Sequence, residues 1–121
     1  MPTARSALGA RGEEIAAQYL AGRGFEILCR NFRRRQGEVD IVAQDGGTLV
    51  FVEVRSCSTS DFGTPAESIG PRKLERLAAA ATLYLVEAKL DNVPCRFDAV
   101  EVYFEKGRVK KVNHMRNISG L

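Results

Sequence analysis

Three acids and an arginine, Glu38, Asp40, Glu53 and Arg55, stand in a stretch otherwise suited to a dry hairpin: GEVDIVAQDGGTLVFVEVRS, residues 37–56. Two runs of valine, isoleucine, leucine and phenylalanine flank a DGG turn, which predicts strands over 38–44 and 49–55. With Gly46 and Gly47 as the loop, or with a four-residue loop over 45–48, the register sets Asp40 opposite Glu53 and Glu38 opposite Arg55. Side chains alternate along a strand, so Val39, Ile41, Ala43, Val50, Val52 and Val54 are expected to share one apolar face. The other face carries Glu38, Asp40, Val42, Leu49, Phe51, Glu53 and Arg55, apolar near the turn and charged at the far end. Carboxylates directly opposed at roughly 5 Å raise each other's proton affinity and destabilise a sheet unless a cation intervenes. Two sources of positive charge follow. Arg55 pairs with Glu38 or Glu53 and the acids form a solvated sheet end; or the carboxylates, with carbonyl and water oxygens, hold a hard divalent cation such as Mg²⁺ or Mn²⁺. Such an ion beside basic residues meets the needs of phosphodiester hydrolysis, lowering the pKa of a bound water and stabilising charge on phosphate oxygens.

Basic residues cluster at RNFRRR (30–35), RKLER (72–76) and RVKK (108–111), while the net charge is only +3. That balance permits a polyanionic partner without requiring one. Arg30, Arg33, Arg34 and Arg35 precede the acidic strand, where they either contact phosphates or form solvated surface. Phe32 within that block either stacks on a base or anchors a strand in the core. Arg72 and Lys73 lie near the start of the second helix, a location that favours anions. Arg96 and Asp98, two apart on one strand, read as a buried salt bridge, and His114 has no visible partner and receives no role.

The elements that must position these groups are legible from periodicity. Leu8, Ile15, Ala16, Tyr19 and Leu20 recur at helical spacing over 6–24, with Gly24 as the stop. FEILCRNF (25–32) reads as a strand, followed by the hairpin. Pro71 opens a second helix running to about residue 89, whose C-terminal half is apolar nearly all round and predicts deep burial or a subunit contact. CRFDAVEVYF (95–104) is a strand, EKG (105–107) a turn, and RVKKVNHM (108–115) a weaker edge strand. The order is αβββαβ with a last β, an α/β protein whose mixed sheet is flanked by helices. At 121 residues with no repeat or linker, one domain over 1–121 is expected. Three cysteines without CxxC or histidine spacing point to reduced, semi-buried thiols in a cytoplasmic protein. No apolar run spans a bilayer and the first residues lack a signal-peptide core, so no membrane association is expected.

GEVDIV…LVFVEVR resembles the D…ExK signature of restriction-endonuclease-like nucleases. With GEEIAAQYLAGRGFEILCRN before it, GTPAESIGPRKLERL after it and CRFDAVEV near the end, the fuller pattern is similar to the bacterial YraN family and to archaeal Holliday-junction resolvases. The resemblance implies a restriction-endonuclease-like fold, with Asp40 and Glu53 as metal ligands and Glu13 joining them from the first helix. Helical geometry agrees, since Glu13 shares the side of Ala16, Ala17 and Leu20 whereas Glu14 shares that of Gln18; alternatively Glu13 only stabilises the helix dipole. Arg55 takes the position usually held by a lysine. It stays protonated, so it can clamp a phosphate but hardly act as a base. Activation of water would then fall to the metal or to a carboxylate such as Glu38, which otherwise neutralises Arg55. The implied activity is metal-dependent hydrolysis of structured, branched DNA, with a two-fold dimer suiting such a substrate. The alternatives are a non-catalytic nucleic-acid-binding module and a protein-interaction domain.

Overall fold

The computed structural model describes residues 4–58 and 69–119, the side chains of 4–6 excepted. Helix α1 spans Ala4–Gly22 and is followed by strands β1 (Glu26–Arg34), β2 (Gly37–Asp45) and β3 (Thr48–Ser58). Helix α2 (Pro71–Glu87) precedes strands β4 (Cys95–Glu105) and β5 (Arg108–Met115). The result is a mixed α/β protein with the expected element order, β5 included. Residues 63–68 of the GTPAES segment and the last two residues of the tail lie outside the described residues.

Local chemistry explains each boundary. The α1 helix stops where Gly24 turns left-handed (φ +91), allowing the amide of Phe25 to reach Leu20 O and its ring to fold under the helix. Pro71 occupies the first turn of α2, where its missing N–H costs nothing. Asp45 pairs with Thr48 around Gly46 and Gly47, the two-residue loop expected. Lys106 and Gly107, both at positive φ, close β4 onto β5.

The sheet runs β1-β2-β3-β4-β5 and is antiparallel except between β3 and β4, which α2 connects as a crossover. One helix covers each face. On one side α1 buries Ala16, Ala17 and Leu20 against Ile41, Val50, Val52 and Val100. On the other, α2 buries Leu77, Ala80 and Ala81 against Phe32, Val42 and Phe51. The far side of α2 is open, with Val86 68% exposed, so the apolar C-terminal half is not buried all round. Cys29 is half-buried, Cys57 buried and Cys95 exposed, all as free thiols, which corrects the uniform expectation. Among the described residues, no helix is long and apolar enough to cross a membrane.

The register follows expectation from the loop to Ile41–Val52 and then ends. Beyond it β2 pairs only with β1, and β3 only with β4, so the two strands part and leave a notch in the sheet. Asp40 and Glu53 are therefore not ladder partners, nor are Glu38 and Arg55. The apolar face is also interrupted. Val39 packs with Val42 and Phe51 on the α2 side, whereas Ile41 packs on the α1 side. The change of side falls at Asp40, beside Asn31, whose left-handed backbone (φ 56) kinks the neighbouring β1.

Candidate active site

The parting of β2 and β3 frees the backbone groups that a continued ladder would satisfy. Asp40 supplies one replacement, accepting the Val54 N–H through Oδ2 at 2.8 Å. Its carboxylate thus fills the notch at the level of the sheet. From the α1 side Glu13 comes close enough to Asp40 for that carboxylate to raise its proton affinity. From the α2 side stands Glu53, 4% exposed and under the influence of the same Asp40 charge. The expected trio converges, drawn from α1, β2 and β3, although cross-strand pairing is not what brings it together.

Electrostatics follow from this crowding. Burial, and then the neighbouring Asp40 charge, push the Glu53 carboxyl up from 4.5 to about 7, against the opposing pull of Lys73 and Arg55. Glu13 is raised in the same direction by burial and by Asp40, with Arg33 and Asn31 acting the other way. The Asn31 amide, oriented to satisfy both of its groups, donates to both Glu13 oxygens at 3.1 Å. Asn31 therefore kinks the strand and holds an acid. Sequence reasoning passed over it, although asparagine's tolerance of left-handed backbone was a usable sign.

The cations are distributed less simply than the basic blocks implied. Lys73 Nζ lies 3.3 Å from Glu53 Oε1 and 3.8 Å from Glu38 Oε1. It is delivered there because α2 rests directly on Gly37: a Cβ at that position would stand 2.0 Å from Arg76 O. Arg55 Nε is 3.7 Å from Glu53 Oε1, buried, and has no hydrogen-bond partner. Glu38 is engaged by Arg33 at 3.1 Å as well as by Lys73, so neutralising Arg55 is not its role. Within RNFRRR, Arg30 reaches Glu14 on α1 at 2.7 Å, while Arg34 turns to Glu87 on α2 and lies 4.0 Å over the Phe32 ring. The block splits between the two faces, and Arg33 is its member at the notch. Phe32 is buried against Tyr84 as a core anchor. Arg35 and Arg72 are exposed.

A cleft of about 880 Å³ extends from Glu13 and Arg33 past Arg55 to Ser56 and Ser58. Its α1 wall sits tightly on β3, since a Cβ on Gly12 would collide with Ser56 Oγ. Two further polar residues went unassigned in the sequence. Glu101, 1% exposed, is the register partner of Arg55 and accepts from Tyr103 Oη and Asn113 Nδ2. His114 is not partnerless: Nε2 lies 2.8 Å from Asp98 Oδ2, with the ring edge-on to Tyr19 and Phe25. Asp98 also takes Arg96 Nε at 3.0 Å and the Asn117 amide at 2.9 Å, so the expected salt bridge belongs to a larger buried network. That network joins β4 and β5 and stands apart from the notch.

All three acids of the notch present carboxylate oxygens, the donors a hard divalent cation prefers. Among the described residues, no three His, Cys, Asp or Glu side chains are arranged as they stand to hold a metal ion. Lys73 supplies the nearest positive charge to Glu53.

Fold and site together define a mixed α/β protein with a carboxylate-lined notch bordered by lysine and arginine. The chain belongs to the uncharacterised protein family UPF0102, whose family model matches residues 12–102, a span containing every residue of the notch. It is similar to a UPF0102 protein of Pelotomaculum thermopropionicum, 47% identical over 118 residues, covering 97% of this chain and 98% of the relative. A UPF0102 protein of Desulforamulus reducens is 43% identical over 120 residues, covering 97% and 98%. Another, from Symbiobacterium thermophilum, is 48% identical over 95 residues, covering 78% and 80%.

Proposed function

We propose that this chain is a metal-dependent endonuclease of restriction-endonuclease-like fold, acting on phosphodiester bonds in structured, branched DNA. The observation that carries this reading is the meeting of Glu13, Asp40 and Glu53 from three elements in one notch, with Arg55, Lys73 and Arg33 beside them. Glu13, Asp40 and Glu53 would hold Mg²⁺ or Mn²⁺, which supplies charge stabilisation at phosphate oxygens and a bound water of lowered pKa. The protein's own groups account for the remainder. Arg55 is permanently charged and its side chain is 27% exposed, so the outer part of its guanidinium would meet a phosphate oxygen in the transition state. Arg33 and the hydroxyls of the cleft offer donors to the flanking backbone, while exposed Arg35 and Arg72 add longer-range attraction. Arg30 and Arg34 serve the fold first, through Glu14 and Glu87. A two-fold dimer through the open side of α2, where Val86 and Leu90 are exposed, would suit a pseudo-symmetric junction.

A second reading, a nucleic-acid-binding module without catalysis, draws on Lys73 already satisfying Glu53 and on arginine at position 55. One assay separates the two. Junction, flap and duplex DNA and structured RNA are incubated with Mg²⁺ or Mn²⁺ and wild type, Glu53→Gln or Arg55→Lys. Cleavage of branched DNA that is lost in Glu53→Gln supports the endonuclease. Salt-dependent binding without cleavage by wild type or Arg55→Lys supports the module instead, and failure to bind any nucleic acid at low salt removes both.

A further inference from the structure

Lys73 is placed differently from every other cation at the notch. Its ammonium lies 3.3 Å from Glu53 Oε1, closer than Arg55 Nε at 3.7 Å, and it also faces Glu38 Oε1 at 3.8 Å. Glu53 itself is 6% exposed at its side chain, so water contributes little to its neutralisation. The position of Lys73 is imposed by the helix beneath it, because the α2 backbone rests on Gly37 one turn further along. We propose that Lys73 is an internal counter-ion competing with a divalent cation for the Glu53 carboxylate, so that metal loading of the notch is a charge exchange. The inference rests on the metal-dependent reading above and concerns how the metal enters.

The exchange follows from the chemistry of the two cations. An ammonium and a divalent ion seek the same carboxylate oxygens, and both cannot remain in contact with Glu53 without strong like-charge repulsion. Lys73 is equipped to yield: its side chain is 29% exposed, its charge sits on a flexible four-carbon stem, and solvent is within reach. Arg55 is not, since its Nε is buried beside the strand. With Lys73 in contact, Glu53 Oε1 is already engaged, so an ion has to displace the ammonium to claim that oxygen. Lys73 thereby sets the threshold for loading, and its removal tightens metal binding even though a cation is being deleted.

The test is Mn²⁺ binding by the full chain, read from the electron paramagnetic resonance of free aquo-Mn²⁺ at neutral pH. Wild type, Lys73→Met, Lys73→Gln and Asp40→Asn are compared, with circular dichroism confirming that each is folded. Both Lys73 variants are expected to bind up to about fivefold more tightly than wild type, the size of one modest ion pair removed from competition. Asp40→Asn is expected to bind far more weakly. Binding detected only after Lys73 is replaced is the same exchange at its limit. Lys73 variants that bind no more tightly than a binding-competent wild type overturn the exchange while leaving the metal site intact. Absence of Mn²⁺ binding in wild type and both Lys73 variants overturns the exchange and the metal-dependent reading together.

Discussion

Replacing Glu53 by glutamine is expected to stabilise the protein above neutral pH when no divalent ion is added. The folded protein raises the Glu53 carboxyl from 4.5 to about 7, chiefly by burial. A raised folded value means the folded state binds the proton more tightly than the unfolded chain. Its contribution to stability is therefore complete below about pH 4.5 and is lost as pH rises through about 7. At about 1.4 kcal/mol per pH unit, the rise from 4.5 to about 7 corresponds to a loss of about 3.5 kcal/mol for an isolated site. Glutamine keeps the shape without the charge, and the pull of Lys73 on the carboxylate is already contained in the folded value of about 7. The variant should thus gain up to about 3.5 kcal/mol over wild type at pH 8, or roughly 14 °C in Tm for a chain of this size. At pH 4.5 the two should differ little. Thermal unfolding followed by circular dichroism in EDTA from pH 4.5 to 8.5 gives the difference curve directly. A difference that is flat across this range would mean that Glu53 ionises as freely in the fold as out of it, and the electrostatic account of the notch would be wrong.

Asp40→Asn removes the second cause of the Glu53 shift while keeping an oxygen for the Val54 amide; carbon-detected NMR titration should find Glu53 titrating below its wild-type value, and no movement would break the assigned coupling. Gly37→Ala inserts a Cβ 2.0 Å from Arg76 O and must lift α2, at a cost of about 1–3 kcal/mol in urea unfolding; an unchanged midpoint would contradict the close contact. Asp98→Asn leaves Arg96 without its buried counter-charge, alters the contact with His114, and should cost about 3 kcal/mol. Asp98 is held below its ordinary value of 3.8, with burial opposed by bonds from His114, Arg96 and the Asn117 amide. Its contribution is present above pH 3.8 and lost as pH falls through the folded value, so the variant should show a shallower acid transition than wild type.

Much of this molecule follows from local pattern. The helical spacing of Ala16, Ala17 and Leu20, Pro71 at the start of α2, and the glycine loop between β2 and β3 each depend on neighbours in the chain. Short-range rules therefore locate those elements, and they carry the register from the loop to Ile41–Val52. The anomaly of acids in apolar strands was likewise visible, and Glu13 was singled out by the family resemblance, with helix geometry in agreement. What periodicity could not supply was the point at which two strands cease to pair. That depends on β3 finding β4 and β2 finding β1, contacts between segments distant in sequence. The capture of the Val54 amide by Asp40 fills the gap which that divergence leaves. The same limitation hid the contact of Lys73 with Glu53, made because α2 lies on Gly37, and hid the pairing of His114 with Asp98 across β4 and β5. The chain by itself determined which residues are charged and which stretches become helix or strand, because those properties are local. Only the tertiary structure decided which charges meet, because the distance between side chains from separate elements is set by how helices and strands pack.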